Sequence, residues 1–245
     1  MKKLIIILIA LSFVSVCLAG SIQDMHKAVI ARRNVVPAGF CVGGAFSDNF
    51  DDNDYGSDWD TTEVNGTCTN QNGRSEHVVT DASGTAKIQM ATDATDQTEY
   101  WASFKLTVHS WTRDSNASMQ IGGLNSAGSR IINLWLRDVS GTSMVWTTDY
   151  EDDTTNYKTD TAVNFVVDTE YTITMHFIAA TGDGANDGVA EIWVNDTQIL
   201  DESTVDSDTL TADDLELGQV YGGSSTTAVE LYLDDTCLTT VSMGL

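Results

Sequence analysis

From residue 44 onward the chain breaks into short runs in which apolar and polar residues alternate, and a period of two admits strands and little else. The longest run, 99–112, sets Tyr100, Ala102, Phe104, Leu106 and Val108 on one side. Trp101, Ser103, Lys105, Thr107, His109 and Trp111 fall on the other. Val, Ile, Thr and aromatic residues fill the runs, and Gly, Asn, Asp and Ser fill the gaps. The spacing predicts strands over 44–50, 75–80, 85–91, 99–112, 117–123, 130–138, 142–149, 162–167, 171–179, 188–195, 215–221 and 227–239. Asn72-Gly73, Ser83-Gly84, Ser140-Gly141 and Asp183-Gly184 stand where turns are needed. A single proline, Pro37, leaves the strands uninterrupted. No helical pattern and no internal repeat is legible in this region. The prediction is an all-β protein, a two-sheet antiparallel β-sandwich (jelly roll) over residues 44–245.

The segments before it differ. Lys2 and Lys3, an apolar run from Leu4 to Ala10 that continues to Leu18, and Ala19-Gly20 read as a secretory signal peptide over residues 1–19. The competing reading, a membrane anchor, needs about 20 apolar residues. Cleavage after Ala19 implies a secreted or cell-surface protein, with no membrane insertion of the mature chain. Residues 20–43 form an N-terminal linker or short helix, with Ser21 to Asp24 as its opening and Lys27, Arg32 and Arg33 as its basic side. This segment is expected to be a loose linker, or an arm for self-assembly against an acidic body.

Charge narrows the partners. Formal net charge is −24, from 12 basic and 36 acidic residues, and loss of residues 1–19 takes it to −26. Such a chain repels nucleic acid and anionic membrane surfaces. By the same argument a polyanionic substrate is disfavoured. Hydrophobic content of 42% excludes a disordered acidic tail. Cys41, Cys68 and Cys237 remain after cleavage. One is odd, and the pairing stays open: Cys41 with Cys237 if the first and last strands are neighbours, or three small buried hydrophobes.

The polar sides of the strands repeatedly carry tryptophan. Trp101, Trp111, Trp135 and Trp193 accompany Asn133, Arg137, His176, Glu191 and Asn195. A flat apolar ring beside hydrogen-bonding groups is what a sugar needs, so these nine residues are the candidate carbohydrate site. The competing reading buries the tryptophans under loops or on different sheets. Trp59 reads as structural.

Three stretches together resemble a known family. They are Phe46-Ser-Asp-Asn-Phe50 followed by Trp59; Tyr171-Thr-Ile-Thr-Met-His-Phe177 followed by Gly188 to Asp196; and Glu230-Leu-Tyr-Leu-Asp-Asp235. They resemble the concanavalin A-like lectin/glucanase jelly roll, in its laminin-G-like branch, over residues 44–243. The resemblance implies a glycan or polysaccharide partner on one sheet face, and calcium near the termini. It speaks to fold more than to activity. Glucanases of this fold alternate Glu, Asp and Glu on one strand, where this chain has Glu191, Trp193 and Asn195. A polysaccharide lyase needs a carboxylate neutraliser, a base and an acid, for which Arg137, His109, His176 and Tyr232 are available. No phosphate loop, nucleophile elbow or zinc spacing is present. The leading expectation is a non-catalytic carbohydrate-binding or adhesion module. The alternatives are a polysaccharide lyase or glycoside hydrolase on the same fold, and a structural surface or virion protein assembling through residues 20–40.

Calcium takes six to eight oxygens, from carboxylates, amides and carbonyls. Asp48 and Asp51, the Asp183–Asp187 loop and Asp234-Asp235 are the candidate ligands. Asp48 and Asp234-Asp235 meet if the end strands are adjacent. The competing reading is solvated acidic loops.

Overall fold

The computed structural model describes residues 46–239, apart from 53–54, 56–58, 82–83, 92–97, 127–128, 142, 213 and 223–225. The expected signal peptide, the 20–43 segment with its assembly role, and Cys41 lie outside the described residues. Among the described residues no helix is long and apolar enough to cross a membrane.

Among the described residues, fifteen strands form two antiparallel sheets: β1 (Phe46–Asp48), β2 (Asp60–Val64), β3 (Gly66–Gln71), β4 (Arg74–Val79), β5 (Thr85–Ala91), β6 (Glu99–Arg113), β7 (Ser118–Ser126), β8 (Ser129–Asp138), β9 (Met144–Glu151), β10 (Asn156–Asn164), β11 (Glu170–Ile178), β12 (Gly188–Val194), β13 (Thr197–Val205), β14 (Asp214–Gly222) and β15 (Thr226–Thr239). Sheet A runs β13-β12-β11-β6-β15-β4-β3, with β1 also on β15. Sheet B runs β10-β9-β8-β7-β14-β5-β2. The all-β sandwich expected from the alternation is the observed architecture.

The apolar sides of both sheets face each other. Phe104, Leu106, Ile173, Met175, Phe177, Ile192, Leu231 and Leu233 of sheet A meet Ile88, Met119, Leu124, Ile132, Leu134, Trp146, Leu215 and Leu217 of sheet B, all buried. Each such side chain contributes about 1.5–3 kcal/mol by leaving water. Turn chemistry closes the hairpins. Asn72 and Gly73 take φ of 56° and 71°, as a two-residue hairpin between β3 and β4 requires.

The first and last strands are neighbours, as the calcium and disulfide arguments supposed. Asp48 pairs with Thr236, and Ser47 with Cys237. Cys237 is disulfide-bonded, whereas Cys68 is a free thiol. Trp59 is buried, and its indole N–H donates to Asp48 Oδ2 at 3.0 Å, which makes it structural.

One expected face is corrected. A register shift in β6 between Val108 and Ser110 inverts the alternation beyond it. Trp111, expected on the polar side, therefore belongs to the core, with the Arg113 guanidinium over its ring at 4.7 Å.

Candidate functional site on the outer face of sheet B

The nine sugar-binding candidates do not converge. Asn133, Trp135 and Arg137 lie on β8 of sheet B, while Trp101, His176, Glu191, Trp193 and Asn195 belong to sheet A or its β12–β13 turn. Single-strand alternation tells inside from outside, but not which sheet a strand joins.

On sheet A the polar residues are already engaged. Trp101 stacks on His176 at 3.6 Å and lies 6.1 Å from Trp193. His176 is flanked by Glu191 (Nδ1 to Oε2, 2.7 Å) and Glu99 (Nε2 to Oε1, 3.1 Å). Trp101, His176, Glu191 and Trp193 are each at most 4% exposed, so none offers a plate or an acid to solvent. Glu191, the one acid retained from the glucanase pattern, also accepts from Gln198 at 3.3 Å. Asn195 sits at φ 52° in a turn, and its Oδ1 accepts the Thr172 N–H at 2.9 Å. The expected lyase set also separates: His109 and Tyr232 are 6.2 Å apart on sheet A, and Arg137 is on sheet B.

Sheet B presents a different surface. Seven basic residues follow position 46 in the sequence: Arg74, Lys87, Lys105, Arg113, Arg130, Arg137 and Lys158. Four of them, Lys87, Arg130, Arg137 and Lys158, stand on the outer side of this one sheet. Lys158 Nζ lies 3.8 Å from the centroid of the Trp135 ring, and the Arg130 guanidinium 5.2 Å from it. Arg130 also lies 5.6 Å from the Tyr221 ring. Trp135 is 3% exposed. It serves as a plate for cations, not as an open surface for a sugar. Its indole N–H donates to Asp149 Oδ2 at 2.8 Å. Lys87 pairs with Glu216 and Arg137 with Asp160. Four of the few cations of the body are thus gathered on one sheet, a placement that the bulk charge does not reveal.

Beside them is a cleft of about 220 Å³ lined by Lys87, Gln120, Asn125, Arg130, Asp214, Glu216, Val220 and Tyr221. Tyr221 is half-exposed, edge-on to Trp135 at 6.1 Å. The buried Gln120 donates through Nε2 to Asn133 Oδ1 at 2.7 Å. Its Oε1 has no partner, nor have Asn133 Nδ2 and Asp149 Oδ1. Buried polar groups left in this state are costly. Burial pushes the Asp149 carboxyl up, opposed by Asn133, by the Trp135 indole and by the Lys158 and Arg130 charges. Asn133 favours the charged form by lying opposite Asp149 in register, without completing an aligned hydrogen bond. Lys158 keeps much of its surface in water. Desolvation of its ammonium against the indole still lowers its pKa, with Asp149 opposing and Arg137 adding to the fall.

Lys87, Gln120, Arg130, Lys158 and Tyr221 were missed by the sequence reading because they come from β5, β7, β8, β10 and β14. One signal was available: basic residues are scarce in the body, and the residues around them are polar and aromatic.

The calcium candidates lie on β1 and just after it, in the β11–β12 loop, and on β15, the strand that pairs with β1. Asp48 accepts from the Phe50 N–H at 2.7 Å as well as from Trp59. Asp51 accepts from Asn49 Nδ2, Asp187 from Thr181, and Asp234 from the Asp235 N–H. Asp235 pairs with Lys105 at 2.6 Å. A different group, Asp153, Asp206 and Asp208, brings carboxylate oxygens within 4.8 Å of one another. Asp183 is close enough to add to their mutual repulsion.

No family profile and no curated protein matches the sequence. Solved structures do match in fold. An alginate lyase, Aly36B, in complex with alginate trisaccharide superposes with a TM-score of 0.60 at 13% identity, covering 82% of this chain and 100% of that one. The endo-β-1,4-glucuronan lyase of the fungus Trichoderma reesei gives 0.53 at 11%, covering 84% and 95%. The alginate lyase of Alteromonas sp. 272 gives 0.55 at 9%, covering 77% and 96%. The chain therefore has the jelly-roll sandwich that these polysaccharide lyases have.

Proposed function

We propose that this chain binds an acidic polysaccharide across the outer face of sheet B and cleaves it by β-elimination beside Tyr221. The observation that carries the reading is the gathering of Lys87, Arg130, Arg137 and Lys158 on one face of a chain whose net charge is −24. Cations gathered beside a polar cleft favour carboxylate-bearing sugars over neutral ones. The likeness in fold to alginate and glucuronan lyases supports the same direction, and an export signal suits a protein that meets polymers outside the cell.

In β-elimination a base takes the proton from C5 of a uronate and the C4–O4 bond breaks. A C4=C5 double bond forms, and the leaving oxygen receives a proton. Arg130, between the Trp135 and Tyr221 rings, is placed to neutralise the carboxylate. Gln120 lines the cleft but is buried, its Nε2 held by Asn133 Oδ1. Tyr221 hands the proton to the leaving oxygen, and Lys158, through the unprotonated fraction that desolvation favours, serves as the base.

Incubation with polymannuronate and with polyglucuronate tests this. Ultraviolet absorbance from the new double bond is expected to grow, and Tyr221→Phe to bind without forming product. Binding without product in the parent chain would return the protein to the non-catalytic carbohydrate-binding reading. Absence of binding to either polymer overturns both.

A further inference from the structure

The cleft exists because β14 departs from its neighbour. Leu217 pairs with Gly122 of β7, and the next pair is Tyr221 with Gln120. Three residues of β14 thus stand opposite one of β7. Toward β5 the ladder is unbroken, with Gly218 opposite Lys87 and Gln219 opposite Ala86. A bulge of this kind re-aims the side chains that follow it. Here it presents Val220 and Tyr221 to the cleft.

What holds the bulge lies on the other side of the molecule's core. His77, on β4 of sheet A, is fully buried. Its Nδ1–H donates to Ala86 O at 2.9 Å, so its Nε2 accepts from the Ser75 hydroxyl at 2.7 Å. Ser75 Oγ in turn accepts from the Tyr55 hydroxyl at 2.8 Å. Cys68 Sγ is 3.6 Å from Nδ1. The imidazole also fills the space that a side chain at position 218 would need. A Cβ there would stand 2.5 Å from His77 Nδ1 and 2.6 Å from Ala86 O, and Gly218 has φ of 107°, a conformation for glycine. The next residue, Gln219, is buried and donates to Gly84 O at 2.9 Å.

We propose that His77 is a positioning residue for the cleft: by filling the space under Gly218 and tying β5 at Ala86, it keys the β14 bulge that presents Tyr221 beside Lys87 and Arg130. His77 reaches neither the cleft nor any ligand in it. The inference rests on the reading of the cleft as a glycan site, but the keying of the bulge can be measured without a ligand.

Hydrogen exchange of the 218–222 amides is the measurement, on the full chain, with near-ultraviolet circular dichroism as the check of folding. His77→Phe keeps a ring and loses the donor to Ala86 O. Exchange at 218–222 is expected to speed at least about tenfold while β11 and β12 amides keep their rates. Affinity for polymannuronate should fall about tenfold. His77→Asn keeps a donor toward Ala86 O and should restore most of both. If His77→Phe does not fold, Gln219→Leu loosens the same bulge and should reproduce both effects. Unchanged exchange at 218–222 overturns the proposal, and so does faster exchange with undiminished affinity. Arg130→Ala separates the two ideas. If it binds polymannuronate as the parent does, the glycan reading falls, while the exchange data still decide whether His77 keys the bulge.

Discussion

The ammonium of Lys158 rests 3.8 Å from the centroid of the Trp135 indole, which gives the ring to a cation and closes it to a sugar. Trp193, on the opposite sheet, is equally buried but has no cation over it among the described contacts. Trp135→Ala should therefore cost about 3–5 kcal/mol of stability and also abolish binding of acidic glycans. Trp193→Ala should cost a similar amount and leave binding intact. Urea unfolding and affinity electrophoresis of both variants check this, and equal loss of binding in the two would refute it.

Binding should be governed by salt. Exposed charges are screened over about 8 Å at physiological ionic strength. Affinity for polyuronates is expected to fall steadily from low to high salt. Neutral glucans should bind weakly at every salt concentration. Removing Arg137, whose side chain is 39% exposed, should flatten the salt dependence. Titrations at four ionic strengths measure it.

His77 ties stability to pH. Burial lowers its pKa from 6.5 to about 4, partly offset by the bond to Ala86 O. The unfolded chain then binds the proton more readily than the folded one. Stability is complete above the unfolded value of 6.5, and is lost as pH falls toward 4, by about 3 kcal/mol. Urea unfolding at pH 7 and pH 4.5 should show this loss in the parent and a smaller one in His77→Asn. Equal losses would refute the assignment.

The Asp153, Asp206 and Asp208 group predicts a response to cations. Partial burial and the neighbouring acids raise Asp206 and Asp208. A carboxyl raised in the folded state favours folding at low pH and works against it as pH rises through its own value. Asp208→Asn should raise the melting temperature in calcium-free buffer. Calcium should raise it in the parent and not in the variant. A melting temperature unmoved by calcium or chelator removes the metal reading.

Much of the fold was legible because its central strands are half-buried and alternate cleanly. The sequence reading missed β2, β3 and β13 and misplaced β10, and these four are the outer strands of the two sheets. Their residues are polar and largely solvated, as Asp60–Val64 and Asn156–Asn164 show, because an outer strand has little core to cover. The site was less legible. Asn133, Trp135 and Arg137 were named from one strand, but their neighbours Lys158, Gln120 and Tyr221 depend on the pairing of β8 with β9 and β7, and of those with β10 and β14. Trp111 needed the β6 register shift, which no alternation reveals.

The position of β15 has a consequence for how the chain acquires its structure. This late segment lies in the middle of sheet A, held between β6 and β4 and against β1. Partners more than a hundred residues apart must meet before the sheet can close, and contacts of such sequence separation make folding slow. Until Thr226–Thr239 is available, β6 and β4 have no common neighbour, and the earlier part of the chain has a divided sheet. Native structure of this sheet is thus deferred until Thr226–Thr239 has been made. A polypeptide that stays open until a central strand arrives remains threadable through a narrow channel up to that point.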